Sequence, residues 1–197
     1  METLGSFILA ALALAGSPGP NTLSLAAVGA AFGRKRGLGY MAGMTLGMLI
    51  VIAIVGSGVS ALVFALPGVA PMVSVAAAAY FLYLAWRIAT APPIGAARAE
   101  RGEPKWYEGT GLSLVNPKAY AAMAAMFSGF VLVDGAPFGD GLAKAAMLIG
   151  VIVFVNVCWL TAGAFLTRFF RDPRTSRVIN VTFAILLIVS VIAAVLL

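Results

Sequence analysis

Hydrophobic residues along this chain form six long runs that are separated by short polar stretches. A helix needs about 20 apolar residues to cross the hydrocarbon core of a bilayer, and each run meets that length. The polar stretches are too short to hold a second domain. The pattern predicts an all-α, polytopic membrane protein with one transmembrane domain over residues 1–197. The predicted helices are 4–32, 38–63, 72–91, 108–133, 143–166 and 176–197.

Composition agrees with lipid as the solvent. Of the 197 residues, 62% are hydrophobic and 10% are charged, whereas a soluble domain carries about 25% charged residues. The net charge of +6 does not indicate nucleic-acid binding, because the basic residues lie in three short loops. The lone Cys158 excludes an internal disulfide, and we expect it to be a buried packing residue. The chain has no histidine, and no cofactor or bound metal is expected.

Basic residues lie almost entirely on one side of the predicted domain. Cytoplasmic loops of membrane proteins carry an excess of Lys and Arg, and 11 of the 13 basic residues fall in the loops after predicted helices one, three and five. We therefore expect these loops in the cytoplasm and both termini outside. The residues are Arg34, Lys35, Arg36, Arg87, Arg98, Arg101, Lys105, Arg168, Arg171, Arg174 and Arg177.

Six helices with both ends on one side divide into two halves of three, and the second half enters the membrane in the opposite direction. This arrangement is the topology of an inverted repeat, so the sequence predicts two inverted three-helix repeats. Each half opens with a helix that is interrupted by proline. The interruptions are Ser17-Pro18-Gly19-Pro20-Asn21 in helix one and Asn116-Pro117-Lys118 in helix four.

Both interruptions lie well inside the predicted membrane. At about 1.5 Å per residue, Pro20 is roughly 24 Å from Leu4 and Pro117 is roughly 16 Å from Trp106. Proline removes a backbone donor, and a bilayer tolerates that loss only where protein or trapped water satisfies the freed groups. A pair of interrupted helices in corresponding places of two halves indicates the binding site of a transporter.

The local chemistry of the breaks suits an anion. Asn116 before a proline is typical of a helix N-cap, and Gly19-Pro20 or Ser17-Pro18 can serve in the same way. The start of a helix has unpaired N–H groups and a partial positive charge, which together bind anions. Lys118 adds a full charge, either functionally or as a residue that reaches the membrane surface. Asn156, in predicted helix five, either joins the site or makes an interhelical hydrogen bond.

Helix two carries a doubled G-x-x-x-G pattern at Gly39, Gly43 and Gly47. Small residues at this spacing allow close approach of two helices. The partner helix is expected within the same chain, and a second copy of the chain is the alternative.

In combination, these motifs resemble the LysE/RhtB family of amino-acid exporters over essentially the whole chain. The motifs are Ser17-Pro18-Gly19-Pro20-Asn21-Thr22, the basic turn Gly33-Arg34-Lys35-Arg36-Gly37, Gly43-x-x-x-Gly47 and Asn116-Pro117-Lys118-Ala119. The resemblance implies a proton-driven secondary transporter, not an enzyme, that exports a small amino acid or derivative across a bacterial inner membrane. It also implies protons and lipid as partners and leaves a homodimer open. With Asn156, the residues of the two breaks form the candidate substrate-binding set: Ser17, Pro18, Gly19, Pro20, Asn21, Asn116, Pro117, Lys118 and Asn156.

The chain departs from the family pattern at two positions. Many relatives have a polar or acidic residue in helix two and an aspartate in helix five, where this chain has Met48 and Asn156. Since burying an unpaired charge is costly, a neutral, zwitterionic amino acid is favoured over lysine, and Lys118 is the titratable candidate for proton coupling. A divalent-metal exporter, which needs buried oxygen or imidazole ligands, and a non-transporting membrane scaffold are the alternatives.

Overall fold

The computed structural model describes residues 2–58 and 104–166, with isolated helical positions at 75, 79, 82, 86 and between 177 and 189. Apart from those positions, the predicted helices 72–91 and 176–197, the turn at Pro67-Gly68 and the basic loops at 92–103 and 168–174 lie outside the described residues. All regular structure within the described ranges is helical. The helices are α1 (Glu2–Gly16), α2 (Pro20–Gly56), α3 (Trp106–Leu114), α4 (Pro117–Gly129) and α5 (Pro137–Leu166).

Length and apolarity suit two of the described helices to a bilayer, Pro20–Gly56 and Pro137–Phe165, and Thr3–Gly16 is a shorter apolar helix. These helices agree with a membrane protein. The arrangement as two inverted three-helix repeats stays a prediction.

Helix α2 reverses direction at Gly33. This glycine has φ 78° and ψ 167°, a backbone region that favours glycine because it has no Cβ. The hydroxyls of Ser24 and Tyr40 lie 2.5 Å apart, although a straight helix would separate these residues by about 24 Å. We call residues 20–32 the first arm of α2 and residues 34–56 the second arm. The sequence predicted a separator from Gly33 to Gly37, but Gly33 alone makes the turn.

Close contacts between glycine and backbone hold both arms in place. In the first arm, a Cβ on Gly29 would meet the carbonyl of Leu160, and one on Gly163 would meet the carbonyl of Ala26. These two contacts press the first arm against α5. The absence of a side chain at both positions is therefore what permits this packing.

In the second arm, the glycine repeat packs against α3. A Cβ on Gly43 would meet the carbonyl of Trp106, and a Cβ on Gly47 would meet the backbone of Thr110. The hydroxyl of Thr110 donates to the carbonyl of Gly43 at 2.8 Å. The prediction of a partner within the chain is thus confirmed for these two glycines, while a Cβ on Gly39 would meet nothing within 4 Å.

A continuous hydrophobic core joins α1, the second arm of α2, α4 and α5. Phe7 in α1 packs edge-to-face on Phe130 just after α4, with ring centroids 5.4 Å apart. The buried residues of this core are Phe7, Ala11, Met48, Val51, Ile52, Val55, Ala119, Ala122, Met123, Met126, Leu148 and Ile152. The core fixes the two broken helices against each other and against α5.

Two expectations from the sequence need correction. Helix α5 begins at Pro137 rather than at residue 143, because proline in the first turn and the acidic Asp140 both favour a helix start. Cys158 is exposed, so the expectation of a buried packing residue is wrong. It lies beside the exposed Val157 on the outer side of α5.

Candidate functional site

The first break lies between α1 and α2. Gly19 is extended, with φ −175° and ψ −177°, and it precedes Pro20 as the first residue of α2. The hydroxyl of Thr22 accepts a hydrogen bond from the Gly19 N–H at 2.9 Å. Of the two dipeptides that could have started the new helix, Gly19-Pro20 is the one that does so.

The second break lies between α3 and α4. Asn116 is extended and caps α4 through its side-chain oxygen, which accepts from the N–H of Lys118 at 3.1 Å. Pro117 is the first residue of the helix. The predicted N-cap at Asn116 is confirmed.

A chain of hydrogen bonds joins the two breaks. The Asn116 amide donates to Oδ1 of Asn21 at 2.9 Å, and the Asn21 amide donates to Oγ of Ser113 at 3.0 Å. Ser113 donates in turn to the carbonyl of Met44 at 3.0 Å. Because the hydroxyl hydrogen of Ser113 points to that carbonyl, its oxygen must accept from Asn21, which fixes the orientation of both amides. Asn116 is only 3% exposed.

Lys118 reaches from the second break to the first. Its ammonium donates to the carbonyl of Ser17 at 2.9 Å, to the Ser17 hydroxyl at 2.7 Å and to the carbonyl of Pro18 at 3.1 Å. All three donors of the ammonium are therefore occupied. The C-terminal end of a helix carries a partial negative charge, so the end of α1 partly neutralises Lys118. The sequence indicated a charge at this place but not its partners.

Asn156 of α5 lies beside the breaks. Its amide donates to Oγ1 of Thr45 in the second arm at 3.1 Å, and its side chain is 4% exposed. The interhelical hydrogen bond that the sequence left open is thus present. Asn156 also lines the cleft at the two breaks.

The breaks enclose a partly open cleft. Its volume is about 50 Å³, enough for a few water molecules. Seven of the nine candidate residues line it, and Pro18 and Pro117 do not. Its lining combines polar and apolar residues. The polar ones are Ser17, Gly19, Asn21, Thr22, Asn116, Lys118 and Asn156, and the apolar ones are Leu14, Ala15, Pro20, Met48, Ala119, Ala122, Met123, Ile152 and Val155.

Backbone donors remain available at one end of the cleft. Within the described ranges, the N–H groups of Asn21 and Thr22 at the start of α2 have no acceptor. Among residues 2–58 and 104–166, the lining contains no Asp or Glu, and these ranges contain no cluster of three metal-ligating side chains. The described part of the cleft therefore offers free donors, one cation that is already bound, and no counter-anion.

Sequence reasoning missed two groups of residues. Ser113 connects Asn21 to the second arm of α2, but a single serine in α3 carries no signal of that role. The apolar residues of the lining were also missed, because residues such as Met48, Ile152 and Val155 are indistinguishable in sequence from those that face lipid.

Comparison with known proteins gives a consistent result. A sequence profile described as LysE type translocator matches residues 12–197. The chain is 32% identical over 188 residues to a cysteine/O-acetylserine efflux protein of Salmonella typhimurium, covering 94% of this chain and 93% of that protein. It is 30% identical over 185 residues to the protein of the same name in Escherichia coli strain K12, with the same coverage. No solved structure matches the chain.

Proposed function

Because the chain belongs to the LysE type translocator family, we propose that it exports a small, neutral amino acid or amino-acid derivative across the bacterial inner membrane. The similar proteins from Salmonella and Escherichia are named for cysteine and O-acetylserine efflux. Both compounds are short α-amino acids without a charged side chain. The proposed role is transport rather than catalysis.

The observation that carries the proposal is the meeting of the two helix breaks. The hydrogen bond from Asn116 to Asn21 and the contacts of Lys118 with Ser17 hold the breaks side by side. The lining of the cleft between them combines hydrogen-bonding groups with apolar side chains. Such a combination suits a solute with a polar backbone and a short side chain.

Charge favours a zwitterion over a cation. A substrate with a net positive charge would need a buried negative partner, and the described residues of the cleft lining include none. A zwitterion brings its own balancing charge. Its carboxylate can take the free N–H groups of Asn21 and Thr22, where the start of α2 contributes a partial positive charge.

The breaks also suit alternating access. Each break divides a predicted membrane helix into two shorter segments. These segments are α1 and the first arm of α2 at the first break, and α3 and α4 at the second, so the segments on either side can move separately. In this proposal the two halves of the chain are inverted repeats that rock about the cleft. Both termini lie on the periplasmic side, and protonation of Lys118 couples export to the proton gradient.

Efflux from proteoliposomes tests the proposal. Purified protein is reconstituted with an imposed pH gradient, and labelled cysteine, O-acetylserine and lysine are followed separately. We expect saturable, protein-dependent movement of the two neutral amino acids and little movement of lysine. Tighter saturable binding of lysine than of the neutral amino acids would contradict the substrate assignment.

A further inference from the structure

Among the described residues that line the cleft, one side-chain oxygen accepts no hydrogen bond. The oxygens of Ser17, Asn21, Thr22 and Asn116 all accept hydrogen bonds from within the protein. For Asn156, the structure records a hydrogen bond from the amide nitrogen but none to Oδ1. Asn156 is therefore the one residue of the described lining whose side chain has an uncommitted acceptor.

The neighbouring hydrogen bonds fix which atom of Asn156 stays free. The hydroxyl of Thr45 donates to the carbonyl of Met41 at 2.9 Å. A hydroxyl has a single hydrogen, so the oxygen of Thr45 must accept from Asn156. The amide nitrogen of Asn156 therefore faces Thr45, and Oδ1 is the atom left without a donor.

The side chain that carries this oxygen is almost fully buried and borders the cleft. Asn156 is 4% exposed and lines the cleft. A buried acceptor without a donor is costly, and a ligand that supplies an N–H removes that cost. At the start of α2, by contrast, the N–H groups of Asn21 and Thr22 lack acceptors. The cleft thus has spare donors on α2 and a spare acceptor on α5.

We propose that Oδ1 of Asn156 accepts a hydrogen bond from the ammonium group of the transported amino acid, while the first turn of α2 binds its carboxylate. The inference rests on the proposed function and adds which chemical groups of the substrate the site recognises. The substrate class is a free α-amino acid with both charged groups present. Analogues that lack the amino group lose the contact with Asn156, and analogues that lack the carboxylate lose the contact with α2.

The neutral amide of Asn156 also accounts for selectivity. Its oxygen accepts from an ammonium without placing a full negative charge in the cleft. Against the described lining, the substrate's own carboxylate is therefore the anion that balances that ammonium, which favours a zwitterion over a simple amine.

The test compares cysteine with 3-mercaptopropionate, its analogue without the amino group, as inhibitors of labelled cysteine efflux from proteoliposomes. The variants are Asn156→Leu, which removes the acceptor, and Thr45→Ser, which keeps the hydroxyl that orients the amide of Asn156. For the unaltered protein we expect cysteine to inhibit at a concentration about tenfold to a hundredfold lower than its analogue, because the analogue lacks a hydrogen bond to a charged group. Asn156→Leu should abolish most of this preference, and Thr45→Ser should retain it.

A second variant guards against misfolding of Asn156→Leu. Asn156→Asp keeps an acceptor and adds a negative charge, so it should strengthen inhibition by cysteine methyl ester, which has the ammonium but no carboxylate, by about tenfold or more. Equal loss of preference in Asn156→Leu and Thr45→Ser would show that the preference does not depend on the acceptor of Asn156 and would overturn the inference. So would an unchanged preference in Asn156→Leu together with no gain in Asn156→Asp. If the unaltered protein moves no amino acid at all, the proposed function fails as well.

Discussion

The side-chain amide of Asn116 lies 2.9 Å from Oδ1 of Asn21, a residue 95 positions earlier in the chain. Each asparagine belongs to a different helix break, so this hydrogen bond fixes the position of one break relative to the other. Asn116 also caps α4. The same side chain therefore stabilises the start of a helix and its contact with the opposite break, and substitutions can separate these two roles.

Asn116→Ser separates them because serine is also a good N-cap but is too short to reach Asn21. We expect the melting temperature in detergent to fall only slightly, since one hydrogen bond contributes about 1 kcal/mol, while amino-acid efflux falls at least about tenfold. Asn116→Ala, which removes both roles, should lower stability by about a further 1 kcal/mol. Normal efflux in the serine variant would show that the bridge to Asn21 is dispensable.

Lys118→Met removes the ammonium that links the second break to the end of α1. Ser17 and Pro18 then lose the ammonium donor to their carbonyls, while the Ser17 carbonyl keeps its hydrogen bond from the Thr22 hydroxyl. Each lost hydrogen bond contributes about 1 kcal/mol. We expect a lower melting temperature and the loss of efflux driven by a pH gradient. Efflux should be measured with and without the gradient, at matched amounts of folded protein. Unchanged dependence on the gradient would exclude Lys118 as the proton-coupling group.

The backbone of the breaks could be predicted from sequence, because it follows from local rules. Proline at a first helical position and asparagine before it are sufficient to predict the start of α4 at Pro117, and Gly19-Pro20 similarly marks the start of α2. The family could also be recognised, since its motifs occur in order along the chain.

The contacts across the breaks could not be predicted in the same way. No local pattern states that Asn116 donates to Asn21 or that Lys118 binds the carbonyl of Ser17, because these contacts depend on how distant helices pack. The predicted separator from Gly33 to Gly37 is wider than the observed turn at Gly33 for a related reason. Arg34 to Arg36 are polar enough to indicate a loop, yet they are exposed in a helix that begins immediately after the glycine.

Gly43→Ala tests the packing of the second arm against α3. The new methyl group would meet the backbone carbonyl of Trp106, which cannot move as a flexible side chain can. Overpacking of this kind costs about 1–3 kcal/mol, so we expect a clear fall in melting temperature. Gly39→Ala is the matched control from the same repeat, because it has open space and should be neutral or slightly stabilising. Equal effects of both substitutions would contradict the contact with α3.

Asp140→Asn tests the ion pair between Asp140 and Lys144 near the start of α5. Asp140 accepts from the N–H groups of Leu132 and Val133 and lies 2.6 Å from the ammonium of Lys144, whose side chain is 4% exposed. Neutralising Asp140 leaves that buried cation without its counter-charge. We expect a melting temperature several degrees lower, with partial recovery in the double variant Asp140→Asn, Lys144→Met. A double variant less stable than Asp140→Asn alone would contradict this account.

The most direct test of the cleft as the transport site is to fill it. Ala122 lies on the cleft side of α4, whereas Ala125 lies on the exposed side of the same helix. Cysteine efflux should be measured for Ala122→Phe and Ala125→Phe in proteoliposomes that contain equal amounts of folded protein. We predict that Ala122→Phe abolishes efflux and that Ala125→Phe retains it. Full efflux through the Ala122→Phe variant would contradict the claim that the substrate passes between the two breaks.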